Sequence, residues 1–114
     1  MQDCLFCKMI AGEIPCSKVY EDEKVLAFYD IDKQAPEHIL VIPKKHIESV
    51  SMLKQSDFVY LDAMILAAQK ITEEKNLKEE GYRLVFNTGK NGGQSVPHLH
   101  MHILGGRAMQ WPPG

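Results

Sequence analysis

Neither sign of charge dominates this chain, and cysteine and tryptophan are scarce. Thirteen Lys and Arg stand against fifteen Asp and Glu, a net charge of −2, with three cysteines and one tryptophan in 114 residues. Such a balance argues against a protein that holds nucleic acid by bulk electrostatics, which needs a basic face. A small anion remains possible, because backbone N–H groups hold phosphate without net charge. Long apolar runs are missing too. The longest strictly apolar stretch, Ala63 to Ala68, falls far short of the ~20 residues that cross a bilayer. Neither a nucleic acid nor a membrane is expected as a partner. Met1-Gln2-Asp3-Cys4 carries no basic or apolar leader pattern, so a cytoplasmic location is expected. An odd cysteine count without a secretion signal speaks for reduced thiols or metal ligands, not a disulfide framework. No repeat or low-complexity segment interrupts the chain, and its length predicts one domain over 1–114.

The apolar pattern predicts an α+β protein. Cys4 to Ala11 reads as a short helix or turn closed by Gly12 and Pro15. Lys18 to Glu21 and Val25 to Tyr29 flank an acidic turn and read as a hairpin. A third strand, His38 to Pro43, holds the unbroken apolar run Ile39 to Ile42. That run predicts a central strand covered on both faces. Ser56 is placed to cap a helix from Asp57 to Glu74, ending near Asn76. Its expected buried face is Leu61, Met64, Ile65, Ala68 and Ile71. Arg83 to Thr88 is a fourth strand, and Gly89 to Ser95 a glycine-rich connection. Val96 to Leu104 is a fifth strand, stopped by Gly105-Gly106.

The most informative segment is Pro97-His98-Leu99-His100-Met101-His102-Ile103-Leu104. Strand side chains alternate faces, so His98, His100 and His102 share one face. Leu99, Met101 and Ile103 share the other and are free to pack on the helix. Aligning three imidazoles gains little stability, so this face points to chemistry. One reading is a metal held by histidines at i and i+2. The other is nucleophilic catalysis, since neutral imidazole attacks well near pH 7 when a neighbour fixes its tautomer. The glycines of the preceding connection let backbone N–H groups approach a phosphate, although Asn91-Gly92 is also an ordinary turn signal. Cys4-Leu5-Phe6-Cys7 does not follow a strand, so a thioredoxin-like redox role is weak, and no second close cysteine pair supports a zinc finger.

His98 to Leu104 matches in full the His-φ-His-φ-His-φ-φ signature of the histidine-triad family, φ being apolar. Gly12-Glu13-Ile14-Pro15, Ala27-Phe28-Tyr29-Asp30, Gln34-Ala35-Pro36-Glu37-His38, Val41 to His46, Gly93-Gln94-Ser95-Val96 and Gly105-Gly106-Arg107 resemble its Hint branch. The tail Met109-Gln110-Trp111-Pro112-Pro113-Gly114 is especially typical of that branch. The resemblance covers nearly the whole chain.

It implies a five-stranded antiparallel sheet with one main helix and a short N-terminal helix, extended across a homodimer. It also implies hydrolysis of purine nucleoside phosphoramidates, AMP–amine linkages above all, through a covalent nucleotidyl-histidine. By position, His100 is the nucleophile and His102 contacts phosphate oxygens or the leaving group. His98 and His38 orient the site. Asn87, Gln94 and Ser95 hold phosphate or leaving group, and Asp30 accepts the ribose hydroxyls. Leu5, Phe6, Met9, Phe28 and Ile31 line the base pocket, and Trp111 reaches the partner subunit's site. Many bacterial members close a structural zinc site with a cysteine pair and two distant histidines, here Cys4, Cys7, His46 and His98. No cofactor is implied for the chemistry itself. The Fhit branch, which hydrolyses dinucleoside polyphosphates, and a nucleotide-binding scaffold with vestigial activity are the alternatives.

Overall fold

The computed structural model describes residues 3–114. Met1-Gln2, part of the leader reading, lies outside the described residues. In chain order the elements are α1 (Leu5–Ile10), β1 (Lys18–Glu21), β2 (Val25–Tyr29), β3 (Glu37–Pro43), α2 (Phe58–Glu74), β4 (Tyr82–Phe86), a single helical turn α3 (Gly89–Gly92) and β5 (Met101–Gly105). The strands form one antiparallel sheet in the order β1-β2-β3-β5-β4.

The central β3 is covered on both faces, as its unbroken apolar run requires. Ile39 and Val41 join Met64, Ala67, Ala68 and Ile71 of α2 in one core. Leu40 and Ile42 join Leu26, Phe28 and Phe6 of α1 on the opposite face. The buried face of α2 is turned slightly from its expected position. Met64, Ala67, Ala68, Ile71 and Thr72 are buried, while Ile65 is exposed. The small Ala67 lets the helix approach the sheet, and the Thr72 hydroxyl donates to the Ala68 carbonyl at 2.7 Å.

Ser56 does not cap α2. It lies in a 3₁₀ turn, Gln55–Asp57, and Asp57 takes the cap position. The Asp57 carboxylate turns back to accept the Lys54 N–H at 3.0 Å and Lys45 Nζ at 2.5 Å. The helix ends where expected. Asn76 adopts φ 60°, and the Leu77 N–H returns to the Thr72 carbonyl at 2.8 Å, a Schellman-type closure.

β5 starts at Met101, not Val96. The His98 N–H closes onto the Val96 carbonyl at 2.8 Å, and the Leu99 N–H bonds the Ile47 carbonyl at 2.6 Å. Leu99 is therefore tied to the segment after β3, and the ladder with β4 begins only at Met101. The facial alternation survives this change of partner: Leu99, Met101 and Ile103 all enter the core against α2. β4 likewise runs from Tyr82 to Phe86, not from Arg83 to Thr88, and the glycine-rich connection contains the turn α3. No helix among the described residues is long and apolar enough to cross a membrane.

Candidate active site and metal centre

Four donor atoms converge beside α1. Cys4 Sγ lies 3.2 Å from His98 Nδ1, and Cys7 Sγ lies 3.3 Å from His46 Nδ1 and 3.6 Å from His98 Nδ1. The two Nδ1 atoms are 3.2 Å apart. Bonds of ~2.3 Å to sulfur and ~2.0–2.1 Å to nitrogen place the ligands of a tetrahedral zinc about 3.3–3.8 Å from one another. The residues therefore fit a closed Cys₂His₂ zinc site. Local structure explains the convergence. Cys4 is the N-cap of α1 and its sulfur accepts the Cys7 N–H at 3.3 Å, so the C-x-x-C spacing puts both thiols on one side of the first turn. The Leu99–Ile47 backbone bond ties the segment carrying His98 to the one carrying His46. The His98 Nε2–H donates to the Pro43 carbonyl at 2.9 Å, which leaves the Nδ1 lone pair for the metal.

The opposite side of α1 walls a cavity of about 200 Å³. Its apolar end is built from Leu5, Phe6, Met9, Phe28, Leu40 and Val96, and its polar end from Asp30, Ser95, His100 and His102. Ile31 stands at the rim, fully exposed. Pro15, Cys16, Ser17 and Tyr29 complete the wall. Leu40 is legible in the sequence by alternation from His38. Cys16 enters the wall because the chain crosses back between α1 and β1.

The hydrogen bonds fix the imidazole tautomers. His100 Nδ1 lies 2.7 Å from the His98 carbonyl, which can only accept. Nδ1 therefore carries the proton, and the Nε2 lone pair is free. The Gln34 N–H donates to His38 Nδ1 at 3.0 Å, so the neutral His38 ring carries its proton on Nε2. That proton faces His102 Nδ1 at 2.8 Å, in preference to Asp30 Oδ2 at 3.4 Å. His102 then bears its own proton on Nε2, which is buried and has no partner among the described residues. The turn that aims the Gln34 N–H is clamped from the far end of β5. Arg107 donates to the Gln34 carbonyl at 2.9 and 3.2 Å. Gly106, at φ 91°, packs where a Cβ would stand 2.9 Å from Pro36.

Burial pushes His102 down to about 4, with the charges of His100 and His38 adding to the effect. Burial also lowers His38, against the opposing pull of Asp30 and Asp32. Because the folded His102 value lies below the unfolded ~6.5, the stability contributed by the neutral ring is complete above pH ~6.5. It is lost as pH falls toward the folded value. A histidine NMR titration should show His102 as the Nε2–H tautomer with a midpoint near 4; a midpoint near ~6.5 would contradict this environment.

Several residues expected at the site stand elsewhere in this single chain. Gln94 braces the glycine-rich turn: its Oε1 accepts the Gly89 N–H at 3.0 Å, and its Nε2 donates to the Glu48 and Val96 carbonyls at 2.8 and 2.9 Å. Asn87 lines a separate groove with Arg83, Met109 and Gln110. Trp111 is 81% exposed, beneath no part of the cavity wall, with the Arg83 guanidinium 5.9 Å from its ring centre. His38 and His98 sit behind His102 and His100 and do not line the cavity.

A histidine-lined cavity and a Cys₂His₂ cluster sharing one short helix, on a five-stranded antiparallel sheet, define a histidine-triad type of protein. The HIT domain family model matches residues 11–109, and the chain belongs to the HIT family. It is 48% identical to an uncharacterised HIT-like protein of Synechococcus elongatus, over 99% of this chain and 98% of that protein. It is 47% identical to the 14 kDa zinc-binding protein of Zea mays, over 96% of this chain and 87% of that one. The crystal structure of a HIT family hydrolase from Legionella pneumophila superposes with a TM-score of 0.96 at 51% identity, covering 98% of this chain and 100% of that one.

Proposed function

We propose that this chain is a nucleotide hydrolase of the Hint branch, acting at the α-phosphorus of purine nucleoside phosphoramidates. The observation that carries the reading is the pairing at the polar end of the cavity. A histidine with a free Nε2 lone pair adjoins one whose buried Nε2–H has no acceptor, their ring centres 5.1 Å apart. A nucleophile beside an unpartnered donor suits a phosphoryl centre, which needs attack on phosphorus and charge stabilisation on its oxygens.

In this scheme the base enters the apolar end between Phe6 and Phe28, and Asp30 meets the ribose hydroxyls. The cavity is smaller than the ~300–1,000 Å³ typical of whole small-molecule sites, in keeping with a base and sugar inside and the phosphate at the mouth. His100 Nε2 attacks phosphorus while the His102 Nε2–H holds a phosphoryl oxygen. The P–N bond breaks, and the nitrogen leaves as the amine, protonated from water. Water then cleaves the N–P bond to His100, releasing AMP and restoring the free Nε2. The His98 carbonyl keeps Nδ1–H engaged throughout, so the ring presents the same nitrogen in every turn. Zinc at Cys4, Cys7, His46 and His98 supports the fold and takes no part in the chemistry; similarity to the 14 kDa zinc-binding protein of maize favours that metal. Incubation with an AMP–amine conjugate should release AMP and free amine with no added metal. Absence of turnover by zinc-loaded protein would reject the assignment.

The reading includes a homodimer of single-domain chains in the cytoplasm. Leu66 and Val59 on the outer face of α2 and Leu84 on the edge strand β4 are exposed. An unpaired edge is a surface that proteins usually cover, and a two-fold dimer is the commonest closed assembly. Trp111, Asn87 and the tail groove belong to that assembly. Light scattering at micromolar concentration should give twice the chain mass; the mass of one chain would remove the dimer and the partner role of Trp111.

A further inference from the structure

The metal cluster and the base end of the cavity lie on opposite sides of the same helix. α1 runs only from Leu5 to Ile10 and pairs with no strand. A helix this short has no stability of its own, since its nucleation cost exceeds what so few bonds return. Met9 and Ile10 pack on the sheet beside two stronger attachments. One is the ligand pair Cys4 and Cys7. The other is Phe6, which is 3% exposed and sits edge-on to Phe28 at 5.5 Å, His98 at 5.7 Å and His100 at 5.3 Å. Leu5, Phe6 and Met9, interleaved with the cysteines, supply a whole wall of the cavity.

We infer that metal occupancy sets the affinity for the nucleotide base, with Cys4 and Cys7 acting as positioning residues for Leu5, Phe6 and Met9. The inference rests on the reading of the cavity as a nucleotide site. With zinc bound, both ends of the first turn of α1 are tied to His46 and His98, and the apolar wall is preformed. Without it, the base must order α1 on binding and loses affinity by that cost. Coupling of this kind is reciprocal: whatever factor zinc contributes to nucleotide affinity, the nucleotide contributes to zinc affinity. The coupling belongs to the base. A ligand that fills only the phosphate and sugar end meets His100, His102 and Asp30, with Phe6 edge-on to His100, and leaves Leu5 and Met9 uncovered, so its coupling to the metal is the weaker.

The test uses the whole chain, with AMP and ribose 5-phosphate as probes. Zinc affinity is read by competition with a chromophoric chelator, with and without each probe. AMP affinity is read by calorimetry on zinc-loaded and zinc-depleted protein. The expected result is a tightening of zinc by AMP of about tenfold, within the ordinary range of such couplings. An equal loss of AMP affinity on zinc depletion, and a smaller effect of ribose 5-phosphate on zinc, are also expected. Should the depleted protein fail to fold, the chelator competition on loaded protein carries the test alone. AMP that binds without changing zinc affinity overturns the inference, as does ribose 5-phosphate coupling as strongly as AMP. Loaded protein that binds no AMP overturns the nucleotide reading and this inference with it.

Discussion

The His100→Asn protein should turn over an AMP–amine substrate at least ~10⁴-fold more slowly than the parent, because covalent catalysis is then unavailable. Asparagine nearly matches the imidazole in length. Its amide can donate to the His98 carbonyl as Nδ1–H does now at 2.7 Å, so the cavity keeps its shape and AMP should still bind. The helpers should behave differently. His102→Ala removes the unpartnered Nε2–H donor, and His38→Ala removes the group that fixes the His102 tautomer. Each should slow turnover by about 10²–10³-fold, the scale of one lost transition-state donor. Some covalent adduct should remain detectable in both. Single-turnover kinetics check the series; His100→Asn within tenfold of the parent would contradict the assigned nucleophile.

Removing the metal should be the largest perturbation of stability. Cys4→Ser and His98→Ala each break the four-ligand set, and His98→Ala also leaves the Pro43 carbonyl without its donor. A structural zinc contributes folding free energy directly. Loss of even ~3 kcal/mol lowers the melting temperature of a domain this size by ~10–20 °C. Purified, reduced protein should hold about one zinc per chain, and calorimetry should show the shift on chelation. Activity assayed at 25 °C, below the depleted protein's melting transition, should fall less steeply than stability. Reduced protein expressed with zinc that carries no metal, or chelation that leaves melting unchanged, would contradict the site.

The parts of this molecule readable from sequence are those governed by short-range periodicity. β3 announces itself because Ile39 to Ile42 is apolar on both faces, and a strand with both faces apolar must be central. The histidine face is legible for the same reason: alternation sends Leu99, Met101 and Ile103 to one core and the imidazoles away from it. The start of β5 is not legible, because the Leu99 N–H donates to the carbonyl of Ile47, a partner distant in sequence. The cap expected at Ser56 falls one residue later, at Asp57, whose carboxylate is engaged by the distant Lys45 and by the Lys54 N–H. Periodicity is also silent on what a polar side chain does. Gln94 stands beside the histidines in sequence, yet its amide ties two backbone groups of its own turn, at Gly89 and Val96, to the distant Glu48 carbonyl. The convergence of Cys4 and Cys7 with His46 and His98 is a long-range fact that the resemblance implied and the geometry supplies.

The measurement closest to the central claim is intact-protein mass spectrometry after rapid mixing with an AMP–amine conjugate, followed by peptide mapping under conditions that preserve phosphohistidine. A transient increment of one AMP moiety is expected, mapped to His100 and absent in His100→Asn. An adduct on His98 or His102, or turnover that proceeds with no adduct at any time point, would contradict it.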